Sequence, residues 1–172
     1  MEESIIHSLK ELIILVFSLV SIYFPNQPVI NNIISPQTDE IVVNRVIDGD
    51  TVELSTGERV RYIGIDTPEI DYENGQNDCY AIKAKEVNKK LVEKKQVILE
   101  KDVSNKDKYD RLLRYIYVEN NQNNKIFVNE FLIKNGYATL ATYPPDVKYV
   151  EKFKKAQSWA RENNMGLWKE CF

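Results

Sequence analysis

Histidine is almost missing from this chain: His7 is the single one in 172 residues. Ser-His and Cys-His nucleophilic pairs, and zinc held by histidines, are therefore excluded from the body of the sequence. Cysteine is nearly as scarce. Cys79 and Cys171 cannot build a four-thiolate zinc site or an Fe–S cluster. Positive charge is not in excess either: 23 Lys and Arg stand against 26 Asp and Glu, a net charge of −3. A nucleic-acid partner usually meets a basic surface, so this figure argues against one at first. There is no internal repeat and no long low-complexity tract. Any catalysis must run on carboxylates, Arg, Lys and Tyr, with an oxygen-loving metal as the natural addition.

The acidity is unevenly spread. Residues 1–40 hold Glu2, Glu3, Glu11, Asp39 and Glu40 against Lys10 alone. The remaining 132 residues are nearly neutral, with 22 Lys and Arg to 21 Asp and Glu. Inside the leader, residues 12–24 (LIILVFSLVSIYF) form an uncharged apolar run closed by Pro25. Thirteen residues match a signal-peptide core and fall short of the ~20 of a full membrane span. Lys10 precedes the run and no Lys or Arg follows until Arg45, a bias that puts the N-terminus inside and the rest outside. Segment 1–24 thus reads as an apolar helix serving as export signal or uncleaved anchor, against the plainer alternative of a buried amphipathic helix. The expected localisation is membrane-anchored with the domain outside the cytoplasm, or secreted. Residues 25–40, rich in Pro, Asn, Ser and Gln, read as a linker to a domain over 41–172.

From Ile41 the pattern turns to β. Residues 41–43 lead to the turn Asp48-Gly49-Asp50, residues 51–54 alternate, Ser55-Thr56-Gly57-Glu58 turns again, and 60–65 reads as a third strand closed by Pro68. A polar loop over 70–78 precedes a helix over about 79–94, capped by Asp78, with Ala81, Ala84, Val87 and Leu91 on one face. Residues 96–99 and 114–118 are short strands, and helices follow over 128–134 and 150–163. Hairpins first and helices later predict an α+β domain: a five-stranded OB-type barrel with about three packed helices.

Reactive groups concentrate in three runs: Asp48-Gly49-Asp50-Thr51, the nonapeptide RYIGIDTPE over 61–69, and Asp107-Lys108-Tyr109-Asp110-Arg111. Singly, each has a bland explanation: a hairpin turn, a helix start, a solvated charge run. Together they hold what phosphodiester hydrolysis needs. Asp50 and Asp66 offer hard oxygen ligands for Ca²⁺. Two arginines can neutralise a five-coordinate phosphorus, and a further carboxylate can activate water. Strand alternation starts Arg61 and Asp66 on opposite faces, so a shared site requires a distortion near Gly64.

The runs VIDGDTVEL, RYIGIDTPE and DKYDRLLRYIY, with NMGLW near the end, resemble the staphylococcal nuclease (thermonuclease) family in order and spacing over about residues 41–168. The resemblance implies an OB-type barrel with three helices, and Ca²⁺-dependent hydrolysis of DNA and RNA to 3′-phosphate products. By motif, Asp50 and Asp66 match Ca²⁺ carboxylates and Thr67 the residue lending its carbonyl. Glu69 matches the water-activating carboxylate, and Arg61 and Arg111 the pair gripping the scissile phosphate. Lys108 and Tyr109 match positions beside the nucleotide's terminal phosphate, and Tyr143 is the candidate for stacking on the base. Asp110 departs from the pattern, which has Gly before the catalytic Arg, and the loop 70–78 is acidic where basic residues are expected. The lysines of the 79–94 helix read as a solvated face.

Two further expectations complete the reading. In an exported chain Cys79 and Cys171 pair in a disulfide that ties the tail to the barrel. The leading function is a nuclease, a monomer with nucleic acid as partner and a membrane reached through the leader. The alternative is a non-catalytic, membrane-tethered OB-like domain that binds single strands, although Asp50, Arg61, Asp66, Glu69 and Arg111 are all present.

Overall fold

β-Branched residues interleaved with charged ones draw the chain into strands as soon as the linker ends. The computed structural model describes residues 41–172 apart from 120, 121 and 123. The segment 1–24, with its expected apolar helix, and the linker 25–40 lie outside the described residues. Strands β1 (Val43–Val46), β2 (Thr51–Leu54) and β3 (Arg59–Tyr62) make an antiparallel meander. Val60 and Tyr62 of β3 point inward, leaving Arg59 exposed and Arg61 half-buried. The short strand β4 (Ile65–Asp66) follows, then helix α1 (Ala81–Val92) and β5 (Val97–Glu100). The long β6 (Leu112–Glu119) pairs in parallel with β3 and antiparallel with both β5 and β7 (Lys125–Phe127). Helix α2 (Val128–Lys134), β8 (Thr139–Leu140), α3 (Val150–Glu162) and the one-turn α4 (Leu167–Glu170) complete the domain.

The α+β class is as expected, but the five-stranded barrel needs correction. The main sheet has six strands, in the order β1-β2-β3-β6-β5 with β7 beside β6, and β4 pairs with β8 in a separate two-stranded sheet. Among the described residues no continuous ladder closes it. Its ends approach through an isolated Val42–Gln96 bridge, with the Val43 N–H donating to the Lys95 carbonyl at 3.0 Å and the Val97 N–H to that of Ile41 at 2.9 Å. A bulge between Val43 and Arg45 disturbs the register of β1 beside this contact, and β5 is only four residues long, so little backbone is left to extend the pairing.

The expected strand over 60–65 is broken as well. The chain leaves β3 after Tyr62 and re-enters as β4 at Ile65. Gly64 makes the break, with φ of 80° and so little space that a Cβ there would lie 2.6 Å from the ring of Phe153. Phe153 belongs to the core with Val52, Val60, Tyr62, Tyr115 and Ile116. Each such side chain contributes on the order of 1.5–3 kcal/mol by leaving water. Helix α1 packs Ala81, Ala84, Asn88 and Val92 inward, while Val87 and Leu91 of the expected face are partly buried. Asp78 does not cap it. The N-cap is Tyr80, in the left-handed region at φ 75°, and the Asp78 carboxylate is engaged by another backbone amide. Cys79 and Cys171 are bridged with their Cα atoms 5.9 Å apart, joining the approach to α1 to the residue after α4. No helix among the described residues is long and apolar enough to cross a membrane.

Candidate active site

The turn between β1 and β2 is built around a carboxylate that water barely reaches. Asp48 accepts the Asp50 N–H at 3.0 Å, and the Asn88 amide of α1 donates to the Asp48 carbonyl at 3.3 Å. Asp50 is only 4% exposed. Its Oδ2 accepts the Thr67 N–H at 2.9 Å and the Thr67 hydroxyl at 3.1 Å, and it lies 2.7 Å from Nη1 of Arg61. Gly49 permits the approach of Thr67, because a Cβ there would stand 2.6 Å from the Thr67 hydroxyl oxygen. Burial pushes the Asp50 carboxyl up to about 7, with Asp48 and Asp66 adding to the shift and Arg61 and the Thr67 N–H opposing it.

Arg61 joins the two halves of the expected site. Its Nη2 reaches Asp66 Oδ1 at 2.7 Å, and Nη1 also donates to the Ile65 carbonyl at 3.0 Å. The reversal at Gly64 is the required distortion: it brings Asp66 back beside a side chain that began on the other face. Glu69 lies just beyond. Its N–H donates to Asp78 Oδ2 at 2.9 Å and its carbonyl accepts the Asp78 N–H at 3.0 Å. The Glu69 carboxylate accepts no hydrogen bond from a described residue. Partial burial pushes it up, and the charges of Asp48 and Asp66 push the same way.

The third run meets Arg61 across a cleft of about 540 Å³ lined by Arg61, Lys108, Tyr109, Arg111 and Tyr143. Arg111 is held by Asp107: Nε and Nη2 each approach Asp107 Oδ2 at 2.7 Å, and the Arg111 N–H donates to Oδ1. Burial pushes the Asp107 carboxyl up, yet the bonds and charge of Arg111 and the Tyr109 N–H outweigh this and hold it below its ordinary value. Tyr109 and Tyr143 are both about two-thirds exposed, at 68% and 71%. Lys108 Nζ and Arg111 lie 4.9 and 5.3 Å from the Tyr109 ring. Asp110 has φ of 64°, which explains why a glycine suits this place, and its carboxylate pairs with Lys106 at 2.9 Å. Asp66, Thr67, Glu69 and Asp78 face a separate depression of about 350 Å³, linked to the cleft across the Arg61–Asp66 pair.

Eight of the nine expected site residues thus line these two depressions, Thr67 while only 5% exposed; Asp50 lines neither and is buried beside Thr67 and Arg61. Sequence reasoning missed three supports. Asp107 was visible in principle as an acid four residues before Arg111, and Asp48 as the turn partner of Asp50. The clamp of Asp78 on Glu69 joins residues nine positions apart and had no local signal. The lysine faces are largely engaged in structure: Lys83 pairs with Glu170, Lys89 with Glu93 at 3.6 Å, and Lys152 with Glu130 at 2.8 Å. Among the described residues no group of three His, Cys, Asp or Glu side chains is placed to hold a metal ion; the expected metal site contributes two carboxylates, Asp50 and Asp66. The donor set is nonetheless all oxygen. A buried carboxylate, a half-exposed carboxylate and a backbone carbonyl are the donors that a hard divalent cation takes.

Residues 59–170 match the family described as "Staphylococcal nuclease homologue". The chain is 37% identical over 133 residues to the thermonuclease of Staphylococcus intermedius, a match covering 76% of each chain. It is 36% identical over 134 residues to the SPbeta prophage-derived endonuclease YokF of Bacillus subtilis (strain 168), covering 75% of this chain and 44% of that protein. With endonuclease YncB of the same organism it shares 35% identity over 133 residues, 74% of this chain and 61% of the relative. It thus spans about half the length of these two Bacillus proteins.

Proposed function

Since the chain belongs to the staphylococcal nuclease family, we propose that it hydrolyses phosphodiester bonds of DNA and RNA with little sequence specificity, leaving 3′-phosphate ends. The observation that carries this reading is the guanidinium of Arg61, fixed by Asp50 and Asp66 at the mouth of a cleft that Arg111 also lines. Two guanidiniums facing one cleft match the charge that builds on the non-bridging oxygens of a phosphorane. Arg111 Nη1 carries no hydrogen bond to a described residue and is available to a phosphate. Arg61 Nη2 meets the half-exposed Asp66, a contact for which a phosphate oxygen can compete.

Glu69 takes the proton of the attacking water, and its raised affinity for protons suits a general base. As the water oxygen bonds to phosphorus the P–O5′ bond breaks on the opposite side, and the departing 5′-oxygen takes its proton from solvent, to which Glu69 returns the one it accepted. Tyr109 and Tyr143 present exposed ring faces for the base and sugar, with Lys108 for a terminal phosphate. Base stacking contributes roughly 1–3 kcal/mol. Asp50, Asp66 and the Thr67 carbonyl would hold Ca²⁺, which supplies positive charge to the phosphate oxygens when bound. The apolar leader supports a domain outside the cytoplasm, anchored or secreted, and the Cys79–Cys171 bridge is in keeping with an oxidising compartment.

The test is cleavage of single-stranded DNA and of RNA by the purified chain with Ca²⁺ or with EGTA, beside Glu69→Gln. Cleavage with Ca²⁺ that falls at least ~100-fold in the variant supports the reading. Retention of single strands without any cleavage favours the binding-only alternative, and equal rates in Mg²⁺ overturn the choice of metal.

A further inference from the structure

Glu69 is the least supported of the site's carboxylates. No described residue donates a hydrogen bond to its carboxylate, so its aim depends on where its backbone is held. That backbone is held at both its polar atoms by one residue: the Glu69 N–H donates to Asp78 Oδ2 at 2.9 Å, and the Asp78 N–H donates to the Glu69 carbonyl at 3.0 Å. Between them the loop has hydrogen bonds of its own. Asp71 accepts the N–H groups of Glu73 and Asn74, each at 2.9 Å, and the Asp71 N–H donates to the Asn77 side chain at 3.0 Å. Tyr72 ties the middle of the loop outward, its hydroxyl donating to the Ile47 carbonyl at 2.6 Å; the Glu69 end depends on where Asp78 is anchored.

The anchor is the next residue. Cys79 is bonded to Cys171, and Cys171 is in turn tied to α4, its N–H donating to the Leu167 carbonyl at 2.9 Å. Leu167 is 3% exposed, and its N–H donates to the Gly136 carbonyl at 2.8 Å at the end of α2. Tyr80, one residue on, is in the left-handed region at φ 75°, where a bulky side chain is strained and persists only if its surroundings impose it. The disulfide and the stacking of Tyr80 on Tyr137 at 5.6 Å impose it.

From this chain of contacts we infer that Asp78 is the positioning residue for Glu69, and that the Cys79–Cys171 bridge is what holds Asp78 in place. The inference rests on the catalytic reading of Glu69 given above. It makes turnover dependent on a covalent bond outside the cleft. When a dithiol reduces the bridge, two thiols form and the dithiol is oxidised to its cyclic disulfide. Asp78 then loses the covalent tie beside it, while every group that touches the substrate remains and Tyr72 still holds the middle of the loop.

The experiment uses the full chain with Ca²⁺ and single-stranded DNA, comparing oxidised and dithiol-reduced protein with Asp78→Ala, Asp78→Asn and the double variant Cys79→Ser, Cys171→Ser. Asn retains an oxygen that can accept the Glu69 N–H, whereas Ala does not. The expected result is a kcat lowered roughly 10- to 100-fold in Asp78→Ala, the reduced chain and the serine variant, with KM within about twofold. Asp78→Asn keeps kcat within about threefold. Equal losses in Asp78→Ala and Asp78→Asn, or a reduced chain as fast as the oxidised one, overturn the inference. Hydrogen exchange of the Glu69 and Asp78 amides gives a readout independent of turnover. Both amides are slow in the oxidised wild type and fast in Asp78→Ala and the reduced chain, and unprotected amides in the wild type overturn the clamp itself. A wild type that cuts nothing while these amides are protected overturns the nuclease reading and the catalytic part of the inference, leaving the clamp.

Discussion

Arg61 meets four oxygens at once: the carbonyls of Tyr62 and Ile65 and the carboxylates of Asp50 and Asp66. A planar guanidinium can do this and an ammonium cannot, so lysine is not an equivalent at this position. Even so, one cation does not neutralise its neighbourhood. Glu69 holds its proton more tightly than an ordinary Glu, first because it is partly buried and then because the charges of Asp48, Asp66 and Asp78 add to the effect of burial. A base must be ionised to accept a proton, so the acid limb of kcat/KM should lie above the range of an unperturbed carboxylate. Asp48→Asn tests the cause. Asn can still accept the Asp50 N–H, so the turn survives while one negative charge goes. The acid limb is then expected to move to lower pH, and an unchanged limb would remove Asp48 from the account.

Elements place these residues, and the ease of reading them from sequence varied with distance along the chain. The α2 helix over 128–134 and the α3 helix over 150–162 were legible because apolar spacing, Asn135-Gly136 and Gly166 are local signals. Asp50, Arg61, Asp66, Glu69 and Arg111 were legible because each lies in a short run whose residue types are uncommon together. Sheet closure was not, since it depends on the register between β1 and β5, some fifty residues apart. The Asp78 clamp was hidden for the same kind of reason: a helix cap and a loop clasp ask for the same residue type. Gly64 is where element and site depend on each other. Gly64→Ala meets a positive φ and the ring of Phe153, which is 1% exposed and has no room to move. Destabilisation of about 2–4 kcal/mol is expected from strain and overpacking combined. Urea unfolding would measure it, and a loss below 1 kcal/mol would show that the turn can re-form without glycine.

For the whole molecule the decisive quantity is charge and its dependence on pH. The near balance of 22 basic and 21 acidic residues beyond position 40 leaves affinity to the local arginines rather than to a general field. Asp50 shapes the stability of the fold. Its carboxyl ionises at about 7 when folded against 3.8 as a free group, so the folded state binds the extra proton between those values. The contribution of Asp50 is therefore fully present below 3.8 and is lost as pH rises through about 7. Asp107, held below its ordinary value, acts in the opposite sense and loses its contribution as pH falls. A divalent cation that uses Asp50 must take the place of that proton, so its binding and the stabilisation it confers grow with pH. Thermal unfolding with and without millimolar Ca²⁺ should show a larger rise in Tm at about pH 8 than at about pH 5.5. Asp50→Asn should abolish the rise at both. The variant should also flatten the fall in stability towards neutral pH expected in EGTA, because the amide has no proton to lose. If Ca²⁺ shifted Tm equally at the two pH values, the proton on Asp50 would not be what the cation displaces, and the oxygen ligands would have to be sought among the exposed acids Asp66, Glu69 and Asp78.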